Sequence, residues 1–196
     1  LVRTLVHGEG TVADEAYRLV VEGRDPLAPT MMREHLASGA PGVARVRLLM
    51  ALKAMGAMTA EERSALKTDA DSAVRRLGDW GDDDRALLRN EPDVWVRVTA
   101  ALAYEGPERA GFLAACAALP QRNVHVTAAV VLAARGAEIK TLRALDAEVQ
   151  GPGVAAVMRG LAERVVRSGT PVERSAMVAA AEDVPRLRRV VVEACA

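Results

Sequence analysis

The chain has 196 residues, 51% of them hydrophobic, which is enough to fill a sizeable core and excludes general disorder. Its 26 basic and 26 acidic residues cancel, so no global field draws it toward nucleic acid or an anionic membrane. Aromatic residues make up only 3%, so Ala, Val and Leu must form the core, and close helix packing suits them. No run of about eighteen apolar residues occurs and the N-terminus lacks the pattern of a secretory leader, so a cytoplasmic location is expected. The basic residues are nearly all Arg, as a bacterial genome of high GC content would encode them.

Apolar residues recur three and four positions apart throughout, without sustained alternation, so an all-α protein is predicted. The first twelve residues look poorly tied down. Helices are then expected over residues 12–22, 29–37, 43–55 and 60–77. The last of these opens on Thr59-Ala60-Glu61-Glu62, a capping box in which Thr59 and Glu62 exchange hydrogen bonds. This region, residues 1–81, reads as helical with degenerate or enlarged repeats. The cluster Asp79, Asp82, Asp83 and Asp84 follows; its carboxylates suit a helix start, where exposed amides and the dipole stabilise negative charge.

Residues 82–196 read as a regular array, because an internal repeat appears there. Asp93-Val94-Trp95-Val96-Arg97 aligns without gaps on Asn123-Val124-His125-Val126-Thr127, and further shifts of thirty reach Gly153-Val154 and Asp183-Val184. Four segments thus open on a capping or turn residue followed by Val. Between them lie amphipathic stretches over residues 107–119, 137–149 and 171–181. Phe112, Cys116 and Leu119 mark one face of the first, and Ile139, Leu142, Leu145 and Val149 one face of the second. Such helix pairs bury their apolar faces only by stacking on neighbours.

Asp93, Val96-Arg97, Ala100, Ala101 and Leu102 resemble the second helix of HEAT repeats, with Thr127 departing from the pattern where Arg97 stands in the first copy. The resemblance implies a right-handed α-solenoid of stacked antiparallel helix pairs with a period of about thirty residues. It also implies a non-enzymatic scaffold that binds a protein or peptide partner. Trp95-Val96-Arg97 is loosely similar to the Trp-rich helices of the HEAT-like alkylpurine DNA glycosylases, a family that would bind DNA and would direct attention to Asp93 or Trp80. The balanced charge and the presence of only two tryptophans count against that alternative.

Candidate partner-binding residues follow from the repeat. Trp95 and His125 occupy equivalent positions and should be neighbours on one ridge, with Ala155 and Pro185 continuing it as small positions. Trp95 is either an anchor for a partner or a cover for the seam between two helix pairs. Arg97 lies on the same helix as Trp95. Arg159, Arg164 and Arg167 on one helix and Arg186, Arg188 and Arg189 on the next form either a basic stripe or the polar outer face of a terminal repeat. Arg97, Arg159, Arg186 and Arg189 join Trp95 and His125 as the candidates. Cys116 and Cys195 read as buried thiols, and His7, His35 and His125 lie far apart in sequence, so neither a metal nor a cofactor is expected.

Overall fold

The computed structural model describes residues 1–147 and 151–195, and every regular element among them is helical. They form two compact units, Leu1–Asp79 and Trp80–Ala196.

In the first unit, α1 (Val2–His7), α2 (Gly10–Gly23) and α3 (Ala28–Ala37) pack on α4 (Gly42–Ala54), and α5 (Ala60–Leu66) and α6 (Ser72–Arg75) follow. Leu5, Val20, Met32, Leu48, Leu52 and Val74 fill its core. The expected capping box is present: the Glu62 amide donates to Thr59 Oγ1 at 3.2 Å, and the Thr59 amide to the Glu62 carboxylate at 2.8 Å. Two expectations need correction. The first residues are tied down after all, because α1 buries Val2 and Leu5. The helix expected over residues 60–77 is broken between α5 and α6. There Asp69 accepts from the Asp71 amide at 2.9 Å while pairing with Arg45, and Asp71 in turn accepts from the Ala73 amide at 2.9 Å. These short side chains capture backbone amides that a continuous helix would need.

The second unit contains α7 (Arg85–Asn90), α8 (Val94–Ala103), α9 (Arg109–Ala117), α10 (Val124–Ala133), α11 (Glu138–Ala147), α12 (Pro152–Ser168), α13 (Pro171–Asp183) and α14 (Pro185–Cys195). Each element packs on the next but one. α8 lies on α10, α10 on α12 and α12 on α14, while α7 lies on α9, α9 on α11 and α11 on α13. Phe112, Leu113, Val130, Leu142, Val157 and Leu161 are among the side chains buried between these two rows. Ile139, Leu142 and Leu145 line the expected face of α11; Val149 lies outside the described residues.

Two glycines permit this packing. A Cβ on Gly160 of α12 would stand 3.0 Å from Val131 Cγ2 on α10, so the small residue lets these helices approach closely. A Cβ on Gly153 would stand 2.8 Å from the Leu119 carbonyl oxygen, which brings the start of α12 against the end of α9. Gly153 therefore belongs inside α12 and does not open it, contrary to the strict thirty-residue register. Pro152 supplies the first turn, where its missing amide costs nothing, and Gly151 is the N-cap. Asp183 likewise ends α13 instead of opening α14.

Candidate functional site

The ridge begins with two identical caps. Asp93 Oδ1 accepts from the Trp95 and Val96 amides at 2.8 and 3.0 Å, and Asn123 Oδ1 accepts from the His125 and Val126 amides at 3.0 and 3.1 Å. Equal capping starts α8 and α10 at the same register, so residues thirty apart leave the first turn on the same side. The Trp95 and His125 rings meet there with centroids 5.0 Å apart and planes inclined by 31°. Trp95 is 47% exposed and His125 is exposed beside it, so about half of the indole is open to solvent while the rest packs across the α8–α10 boundary. Ala155 is exposed on α12 at the next equivalent position. Pro185 starts α14 at the fourth.

Arg97 does not join this surface. It is only 2% exposed, and its guanidinium donates to the carbonyl oxygens of Glu91 at 2.7 Å, Arg89 at 2.9 Å, Cys116 at 3.0 Å and Ala115 at 3.1 Å. The physical reason is register. Val157 and Leu187 hold the equivalent positions on α12 and α14 and are buried, so position 97 faces the core. A planar fork of donors reaches several helix-end carbonyls at once, the Ala115 oxygen being shared with the Ala118 amide. Burial pushes the Arg97 pKa down from its ordinary value, with Cys116 and Glu91 opposing. Burial likewise pushes the neighbouring Cys116 thiol up to about 12, against the opposing Arg97 charge. Cys116 is therefore a free, unreactive thiol packed in the core. The side chain of Cys195 lies outside the described residues.

The other arginines separate into distinct environments instead of forming one stripe. Arg159 bonds Glu193 at 2.8 Å, Arg164 pairs with Glu138 at 3.1 Å, and Arg167 lies 4.0 Å from Glu163. Arg188 donates to the carbonyls of Ala181 and Glu182. Arg186 stands 3.8 Å from Asp146, and exposed Arg189 makes no ion pair among the described residues. Arg186 and Arg189 instead border a hollow of 340 Å³ between α12 and α14, whose apolar lining includes Val154, Ala155, Met158 and Val190. The sequence reading missed this hollow because Val154, Met158 and Val190 carry only the periodic signal of core residues. The small size of Ala155 at a ridge position was the available clue.

The remaining chemical groups serve local structure. Asp84 accepts from the Gly81 amide at 2.7 Å, Asp82 receives the Tyr104 hydroxyl, and Asp79 pairs with Lys53 at 2.6 Å in the first unit. Burial, with the bond to Asp82 second, pushes the Tyr104 phenol up to about 12, and its ring stacks on Phe112 at 4.0 Å. Trp80 is buried, and the Asp93 carboxylate is engaged as a cap. His7 and His35 meet edge-on in the first unit at 6.4 Å. Among the described residues no three potential ligands converge on a metal site, and no helix is long and apolar enough to cross a membrane. No family model matches the chain, and no curated protein or solved structure is significantly similar to it.

Proposed function

We propose that the second unit is a right-handed, HEAT-like α-solenoid. The two rows α7–α9–α11–α13 and α8–α10–α12–α14 and the thirty-residue period support that reading. In it, the chain is a non-enzymatic scaffold that binds a protein or peptide partner along the edge formed by the first turns of α8, α10, α12 and α14. The observation that carries the proposal is the exposed Trp95–His125 pair. A half-exposed indole resting on an imidazole is a rigid amphipathic anchor of the kind that dominates partner recognition. Such a scaffold would work in the cytoplasm, where the Cys116 thiol stays reduced.

The DNA glycosylase alternative has less in its favour. Asp93 caps α8, Trp80 is buried, and the arginines of the second unit are dispersed among separate partners. The test uses a partner captured by cross-linking from the source organism. Trp95→Ala should weaken that partner by roughly 2 kcal/mol in calorimetry. Because about half of the indole is buried, unfolding stability should also fall, by roughly 2 kcal/mol. Unchanged affinity would remove Trp95 from recognition, and so would a stability loss of about 4 kcal/mol, the cost of truncating a fully buried tryptophan.

A further inference from the structure

We infer that the hollow between α12 and α14 receives an apolar side chain of a peptide partner, and that Arg186 and Arg189 hold a carboxylate beside it. This deepens the scaffold reading and rests on it, because Ala155, which lines the hollow, stands thirty residues after His125 and sixty after Trp95. Its origin is the thirty-residue period. Position 95 carries an indole and position 125 an imidazole, while position 155 carries only a methyl. There the exposed Ala155 borders the hollow together with the almost fully buried Val154 and Met158 and with Val190.

Size and charge select the occupant. At 340 Å³ the hollow lies near the bottom of the range of about 300–1,000 Å³ for ligand pockets, which suits one or two side chains. Its described lining combines apolar groups with two guanidiniums and contains no carboxylate. A different hollow of 280 Å³ provides the contrast: Glu138 and Glu173 stand among Arg135 and Arg164 there, and Arg164 already bonds Glu138. Arg186 is only loosely compensated by Asp146 at 3.8 Å, and Arg189 has no ion-pair partner among the described residues. An apolar group with an adjacent carboxylate complements both halves of the surface, and guanidinium forks bind carboxylates in a defined geometry. The apolar floor favours such a peptide over a nucleic-acid backbone, which would leave Val154, Met158 and Val190 unfilled.

The experiment presents the full chain to a random twelve-residue peptide library displayed on phage. Selected peptides should carry an aliphatic or aromatic residue within two positions of Asp, Glu or the C-terminal carboxylate. One of them, synthesised with a fluorophore, is then titrated by anisotropy. Ala155→Trp should fill the hollow and weaken binding at least tenfold. Arg186→Glu with Arg189→Glu should do the same, and Arg186→Lys with Arg189→Lys should retain only part of the affinity, because an ammonium keeps the charge but not the fork. Unchanged circular dichroism would establish that each variant is folded. Selection without acidic enrichment, or binding indifferent to Ala155→Trp, overturns the inference. So does competition by duplex DNA that disappears with salt, because it assigns the arginines to phosphates. Trp95→Ala, titrated with the same peptide, keeps the two readings apart. If Trp95→Ala alone weakens binding, the scaffold survives and the hollow assignment falls; if only the hollow variants do, the hollow stands and the Trp95 ridge falls.

Discussion

Removing the Arg97 guanidinium while keeping its stem, as in Arg97→Met, tests whether a buried cation holds the first helix pair together. Four carbonyl oxygens receive this one side chain, two at the α7–α8 turn and two at the end of α9. The Ala115 oxygen keeps the Ala118 amide at 3.3 Å, so its loss is partial. Hydrogen bonds from a charged donor contribute roughly 1.5–3 kcal/mol each, and relief of the cation's desolvation returns several kcal/mol, leaving a net loss of about 3 kcal/mol. For a unit of this size that corresponds to a melting point lower by about 10 °C. Both tryptophans, Trp80 and Trp95, belong to the second unit, so urea unfolding followed by tryptophan emission reports on it selectively. Arg97→Lys should recover less than half of the loss, because a single ammonium cannot span four acceptors. If Arg97→Met cost less than about 1 kcal/mol at an unchanged urea dependence, the bracket assigned to Arg97 would be refuted.

The close crossing of α10 and α12 predicts that Gly160→Ile costs roughly 1–3 kcal/mol in the same urea titration, since its branches meet Val131. Gly160→Ala should stay within about 1 kcal/mol of the parent, because improved helix propensity offsets one tight contact. Removal of residues 170–196 should uncover the apolar side of α12, including Val157, Leu161 and Val165, and broaden the unfolding transition; a truncated chain that melts as sharply and as high as the parent would argue against stacking. In the first unit the bond from Arg45 holds the Asp69 carboxyl below its ordinary pKa, and Arg33 does the same for Glu62. With folded values depressed, their stabilisation is present above about pH 4 and is lost as pH falls through the folded values. Asp69→Asn should therefore reduce the drop in melting temperature between about pH 6 and about pH 3, measured by circular dichroism.

The elements of the second unit were largely legible because one signal repeats. Asp93 and Asn123 cap their helices identically, and the positions two residues after Trp95 and Ala155 are buried. The register faded where that signal weakened: Gly153 and Asp183 align by spacing, but Pro152 and Pro185 set the helix starts. In the first unit, apolar periodicity continues through residues 60–77, yet Asp69 and Asp71 compete locally for amides and divide the segment. Periodicity cannot register that competition. Nor could it separate the arginines, since exposure of Arg189, pairing of Arg159 and burial of Arg97 depend on what the neighbouring helices present.

The division of labour within α8 follows from helical geometry. Trp95 and Arg97 are two residues apart, roughly 200° around the axis, and so lie on nearly opposite faces. One side chain faces solvent beside His125, and the other is enclosed by backbone carbonyls. The same offset separates exposed Ala155 from buried Val157. Positions at the first offset can therefore change from indole to imidazole to methyl with little effect on the stacked core, while positions at the second must satisfy it. The double variant Trp95→Ala with Arg97→Met should lose stability by the sum of the two single losses, with a coupling below about 0.5 kcal/mol. A larger coupling in the same urea titration would mean that the Trp95 edge and the core bracket are one structure, and the ridge could not then be tuned for partners without disturbing that bracket.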